Sequence, residues 1–194
     1  MTNAPGVQSL AEAYVAEMQT LMHELPLTAV PPVVEALLSA RRQGRHILVC
    51  GNGGSAATAS HFVNDLNKGT NVAGKRRFRA VGLVDNTPLL MAWSNDTDYE
   101  HALAEQVVNF VEPGDVLIAI SGSGNSPNVL RAVEVAHAHG AITVGVTGFN
   151  GGQLKSLVDL SLHVPSHCME QVEDAHMILC HTLTVTLRRA IAAE

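Results

Sequence analysis

The sequence predicts an α/β fold, a doubly wound five-stranded parallel sheet flanked by helices, and three observations carry that prediction. Five short runs, "HILVC", "FRAVGLV", "DVLIAI", "ITVGVTG" and "LSLHVP", are almost wholly apolar, as strands are when both faces of a sheet are covered. Helical stretches separate most of them, the alternation that gives parallel pairing. Glycine-serine turns follow the first and third runs, and in a sheet of order 2-1-3-4-5 those two strands flank the crevice where ligands bind.

Two helices lead the chain. Leu10, Tyr14, Met18, Leu21, Met22 and Leu25 recur at helical spacing between Val7 and Leu25, and "LPLTAVPP" then interrupts the pattern before a second helix through Arg42. Residues 1–45 therefore read as a helical segment, expected to pack on the domain and on subunit partners, and residues 46–194 as the sheet domain. The final helix, Met169 to Ala193, carries Val172, Met177, Ile178, Leu179, Leu183, Val185 and Leu187 around much of its circumference. A partner subunit is expected to cover what its own domain does not.

At 194 residues and 46% hydrophobic, the chain is long enough for one domain with a full core. A formal charge of -6 argues against a general nucleic-acid surface, which needs many cations to displace counterions. "KRRFR", Lys75 to Arg79, is the one basic run, read as a solvated approach to a strand in preference to an anion-gathering rim. Cys50, Cys168 and Cys180 are odd in number and lack CxxC spacing, which points away from a disulfide framework and a zinc ribbon and toward a reducing cytoplasm. The start has no basic segment leading into a long apolar run, and no stretch is apolar enough to span a bilayer, so neither export nor a membrane partner is expected.

After the first strand the chain turns through Gly51, Asn52, Gly53 and Gly54 and is expected to enter a helix with Ser55 as its cap. Backbone N–H groups at such a turn, aided by the helix dipole, favour an anion. "AISGSGNSPNVL" repeats the device after the third strand, with Ser126 as cap, Pro127 at the first helical position, and hydroxyls from Ser121 and Ser123. Gly51, Gly53 and Ala56 also satisfy a dinucleotide fingerprint, with Asp85 as a ribose partner, but that reading leaves the second serine loop without a role. No Gly-Lys-Ser or Gly-Lys-Thr occurs, which removes the P-loop. Two facing hydroxyl-rich turns suit a compact phosphorylated metabolite.

His61 and Asp65 stand at i and i+4 on the helix after the first turn and share a face. Glu173 and His181, eight residues apart on the last helix, lie roughly 80° apart around its axis and can also converge. Two imidazoles and two carboxylates suit a divalent metal such as zinc, or an acid and a base. A surface ion pair is the plainer account of His61 with Asp65 taken alone. Glu173 with His176 makes an ExxH, yet its only counterpart, Glu134 to His137, falls in a crossover helix and not in a bundle.

Taken together, "GNGGSAATASHFVND", "SGSGNSPN" and "VEDAHMILCH" resemble the SIS-type phosphosugar proteins, specifically the phosphoheptose isomerase family, over nearly the whole chain. The resemblance implies a single SIS domain and a homotetramer with active sites at subunit interfaces. It also implies conversion of sedoheptulose 7-phosphate to D-glycero-D-manno-heptose 7-phosphate. It places Ser55, Ser121, Ser123 and Ser126 at the phosphate, and Asn52, Gly53, Asn95, Asp96 and Glu173 beside substrate. His61, Asp65, Glu173 and His181 fall on the family's metal positions, zinc being the implied ion, and Asp65 and His181 on its proton-transfer positions. Three positions depart from the family pattern: Asp65 stands for Glu, Glu173 for Gln, and Gly122 for Thr. The group also contains DiaA-like members that bind proteins and do not isomerise sugars, so a non-catalytic phosphosugar-binding or protein-binding module is the alternative.

Overall fold

β1 (His46–Gly51) and β3 (Val116–Ser121) are the centre of the sheet, and their alternating side chains divide between two cores. Ile47, Val49, Val116, Ile118 and Ile120 enter one; Leu48, Cys50, Leu117 and Ala119 enter the other. A strand buried on both faces has no polar side to show, which is why these runs read as continuously apolar. The computed structural model describes residues 6–194, so positions 1–5 of the expected leading segment lie outside the described residues.

All five apolar runs form strands. β2 (Arg79–Gly82), β4 (Ile142–Thr147) and β5 (Leu160–His163) complete a parallel sheet of order β2-β1-β3-β4-β5, as the pattern predicts. Its register is continuous, with Val49 opposite Gly82 and Ile118, and Ile118 opposite Val144. The eight α-helices among the described residues are α1 (Val7–His23), α2 (Val30–Gln43), α3 (Gly54–Asn64), α4 (Thr87–Asp96), α5 (Ala104–Phe110), α6 (Pro127–Ala138), α7 (Leu154–Leu157) and α8 (Met169–Ala193). Leu37 of α2, Phe62 of α3, and Leu179 and Leu183 of α8 fill the first core; Val107, Val133 and Leu154 fill the second.

α8 has the bounds its pattern suggests, with Val172, Leu179, Leu183, Leu187 and Ile191 buried. Two helices are poorly covered. In α1 only Leu21 is buried, while Val7, Leu10, Val15 and Met22 face outward, and α4 buries no residue at all. Polar contacts hold α1 to α8: the Tyr14 hydroxyl donates to Asp174 at 2.6 Å and the Gln171 amide to Glu17 at 2.7 Å.

His176, on the buried side of α8, is 1% exposed, and neither ring nitrogen makes a well-formed hydrogen bond. Burial pushes its pKa down from 6.5 to about 4; the Thr147 backbone opposes this weakly and His163 adds to it. The folded chain thus keeps His176 neutral where the unfolded chain takes up a proton. Stability is intact above about pH 6.5 and is lost as pH falls toward 4, by up to about 3 kcal/mol. Urea unfolding across that interval is expected to show a smaller loss for His176→Leu than for wild type; equal losses would contradict this origin.

Candidate functional site

Both serine turns leave the carboxyl ends of β1 and β3 and face one another. After Gly51 the chain bends through Asn52 and Gly53, whose φ of +54° and ψ of -123° suit glycine, and α3 begins at Gly54. Gly53 is therefore the cap, and Ser55, expected there, lies buried inside the first turn with no capping bond formed. The cause is a close approach. A Cβ on Gly51 would stand 2.7 Å from the Ser55 carbonyl oxygen and 2.9 Å from that of Ile120, so α3 sits against the sheet only because position 51 has no side chain. The unpaired N–H groups of the first turn and the helix dipole point into the opening between the turns.

In the second turn Ser126 occupies the cap position of α6 and Pro127 opens the helix, as expected, but the Ser126 hydroxyl makes no cap bond. It lies 3.2 Å from the Ser121 hydroxyl, which accepts from the Gly124 N–H at 3.2 Å. The loop after β4 braces this turn: Gly148 N–H donates to the Gly122 carbonyl at 2.9 Å and Leu154 N–H to that of Gly124 at 3.0 Å. Gly122 also has a packing reason, since a Cβ there would meet the Met169 sulfur at 2.8 Å.

Asn52, Gly53, Ser55, Ser121, Ser123, Ser126 and Glu173 line one cleft of about 260 Å³. Its donors are hydroxyls and backbone amides, and Glu173 is its one charged side chain. Glu173 lies across the start of α3, where a Cβ on Gly54 would fall 2.2 Å from its carboxylate. A larger hollow of about 510 Å³ beside β2 is walled mainly by Val63, Pro88, Leu89 and Phe110. It gathers no comparable donors, and its carboxylate, Asp85, accepts from Ser60.

Two residues that sequence reasoning missed join the turns. Asn128, 2% exposed at the start of α6, exchanges a reciprocal pair of amide hydrogen bonds with Asn52, both 2.8 Å. The Tyr99 hydroxyl donates to the same Asn52 oxygen at 2.7 Å. Tyr99 sits in no periodic or glycine-rich signal, whereas Asn128 closes the "SGSGNSPN" turn, where its side chain drew no notice beside the serines.

Farther along α3 and α8, His61, Asp65 and His181 converge. The two imidazole Nε2 atoms are 3.1 Å apart, and Asp65 Oδ2 lies 3.6 Å from His61 and 3.7 Å from His181. Donors of a tetrahedral zinc at roughly 2.05 Å stand about 3.3 Å apart, so this triangle matches the edge of such a shell and can hold a divalent metal. Asp65 is half-buried and opens a π-helical turn, Asp65–Gly69, a local widening that the i, i+4 reading did not foresee. Glu173 does not join the trio. Asn95 and Asp96 end α4, exposed and hydrogen-bonded to each other at 2.8 Å, and do not line the cleft of their own chain.

Residues 13–148 match the SIS domain family model. The chain is 41% identical over 153 residues to a phosphoheptose isomerase of Crocosphaera subtropica, covering 79% of this chain and 78% of that one. It is 35% identical over 185 residues to a phosphoheptose isomerase of Geobacter sp. strain M21, covering 95% of each. The solved phosphoheptose isomerase GmhA of Neisseria gonorrhoeae superposes with a TM-score of 0.88 at 31% identity, over 94% of this chain and 98% of that chain.

Removing the Asn128 amide costs Asn52 two part-buried hydrogen bonds to one partner, a loss on the order of 1–3 kcal/mol. Titration of inorganic phosphate by calorimetry is expected to show binding weakened about tenfold in Asn128→Ala, which corresponds to about 1.4 kcal/mol; unchanged affinity would remove Asn52 from the anion site.

Proposed function

Since the chain belongs to the SIS domain family and, within it, to the phosphoheptose isomerases, we propose that it interconverts sedoheptulose 7-phosphate and D-glycero-D-manno-heptose 7-phosphate. The observation that carries this reading is the pairing of functions along two packed helices. Ser55 and His61 are six residues apart on α3, roughly 9 Å along its axis, and Glu173 and His181 are eight apart on α8, roughly 12 Å. An extended sugar chain with a terminal phosphate bridges such a span, its phosphate at the serine turns and its C1–C2 end at the His61, Asp65 and His181 cluster.

Moving a carbonyl between C2 and C1 requires one carbon-bound proton to move between them. In this reading Asp65 takes the proton from C1 and returns it to C2. His181 protonates the C2 oxygen and receives the proton of the C1 hydroxyl, so the exchange balances. The Thr184 hydroxyl, 3.5 Å from Asp65 Oδ2, and the Asn64 amide, 3.4 Å from Oδ1, steady the base. Asn52, held by Asn128 and Tyr99, and Glu173 at the cleft wall orient sugar hydroxyls, with Gly53 allowing close approach. The donor set His61, Asp65 and His181 would hold a divalent metal such as zinc, while Glu173, which the resemblance implies as a fourth ligand, lies in the cleft wall instead. When bound the metal would polarise the carbonyl and stabilise the enediolate.

A homotetramer with shared sites completes the reading. It is supported by the uncovered apolar side chains of α1, by α4, and by Asn95 and Asp96, which lie outside their own cleft and would serve a neighbouring subunit. Residues 1–45 then act as the packing segment against domain and partner. No helix among the described residues is long and apolar enough to cross a membrane; the cytoplasmic placement rests on the cysteine usage alone.

Zinc-loaded protein incubated with sedoheptulose 7-phosphate in D2O is expected to introduce deuterium at the carbon next to the carbonyl, followed by NMR. Asp65→Asn and His181→Ala should reduce the rate at least a hundredfold, on the scale of acid–base catalysis. Sugar binding without exchange would instead support the non-catalytic module. Metal analysis after dialysis should find zinc in wild type and its loss in His61→Ala; retention would refute the ligand set. Light scattering should return four times the 20.5 kDa chain mass, and a monomer would overturn the shared site.

A further inference from the structure

The basic run beginning at Lys75 lies at the amino-terminal edge of the sheet, on the far side from the serine cleft. Gly44 precedes β1 and Asn52 follows it, so the length of that strand, roughly 20 Å, separates the two places. There Gly44, Arg76, Arg77, Phe78 and Arg79 line a hollow of about 340 Å³. The expectation of a solvated approach to β2 accounts for the strand entry but not for how the guanidiniums are held.

Arg76 donates to the Arg42 carbonyl at 3.0 Å, and Arg79 to the Gly44 carbonyl at 2.8 Å. Arg41, 3% exposed, grips the Arg76 carbonyl from beneath at 2.7 Å. The acceptors of Arg76 and Arg79 are a carbonyl in the last turn of α2 and that of its cap residue Gly44, an ordinary use of cations at a helix C-terminus. Neutral acceptors fix the two guanidiniums and leave their charge unbalanced. Among the described residues no carboxylate forms a salt bridge with Arg76, Arg77 or Arg79; Glu194 goes to Arg41 and Arg42, and Glu35 to Arg42. Arg77 makes no hydrogen bond at all to the described residues, and each guanidinium carries five donors of which Arg76 and Arg79 use one. In a chain of net charge -6, three arginines without a salt bridge around one concavity gather positive charge locally.

We propose that this hollow is a second anion site, separate from the serine cleft, and that it takes a small oligophosphate. Three guanidiniums with free paired donors suit two phosphoryl groups bound side by side. A hydroxyl-lined cleft suits one phosphate ester, so the two sites differ in the anion each prefers. Nothing in the proposal depends on the sugar chemistry assigned to the cleft.

The test is calorimetric titration of the full chain with inorganic pyrophosphate at constant ionic strength. Arg77→Ala is the decisive variant, because Arg77 is exposed and makes no hydrogen bond or salt bridge to the described residues. Saturable binding weakened about tenfold by Arg77→Ala and abolished by Arg77→Glu, with Ser126→Ala binding as wild type, is the expected result. Isomerisation of the sugar phosphate should be unchanged in Arg77→Ala. Absence of saturable binding in wild type, equal affinity in Arg77→Ala, or binding lost in Ser126→Ala would each overturn the site.

Discussion

The arrangement of the site depends on how closely α3 can lie between the sheet and α8. On one side the Ser55 carbonyl occupies the space a side chain at Gly51 would need; on the other the Glu173 carboxylate occupies the space of one at Gly54. The missing side chain at Gly51, where the opposing atoms are backbone, therefore sets the depth of the helix, while Gly54 leaves room for the Glu173 carboxylate. With α3 at that depth, its N-terminal amides open between the two serine turns, and His61 and Asp65 come within reach of His181 across the helix pair. A larger residue at Gly51 would displace both the serine turn and the His61–Asp65 end of α3, because both ride on the same rigid element and the atoms in its way are backbone.

Rigid elements also explain the division of labour. The turns are braced by backbone hydrogen bonds from the β4–α7 loop and by the Asn52–Asn128 pair, so this end of the cleft is preorganised. The cluster is more open, with His61 and His181 about half exposed and Asp65 at 16%. In the function proposed, a firm grip on phosphate at the turns would let binding energy there position the reacting carbons at the exposed end, the use of remote contacts that raises rate and not merely affinity.

The sheet order and α8 were legible in sequence because doubly buried strands and a long apolar helix leave strong local patterns. Ser55 misled as a cap: the residue type is right for capping, but Gly53 already makes the left-handed bend, which no propensity rule weighs against a following serine. Tyr99 and Asn128 were silent, since a hydrogen bond across 47 or 76 residues leaves no periodic trace. The placement of Glu173 in the cleft wall and not in the His61, Asp65 and His181 trio follows from the rotation of α8 between positions 173 and 181, which spacing alone bounds only loosely. Gly122, which stands for Thr in the family pattern, makes room in the fold for the Met169 sulfur, a contact that the sequence could not show.

The central claim is that one phosphosugar spans from the serine turns to the histidine cluster. Its most direct test is a crystal structure of the Asp65→Asn variant, loaded with metal and soaked with sedoheptulose 7-phosphate. The account predicts the phosphate among Ser55, Ser121 and Ser126, with C1 and C2 within hydrogen-bond reach of position 65 and His181. A phosphate bound there with the carbonyl end turned away from α8, or a sugar bound outside the cleft, would contradict it.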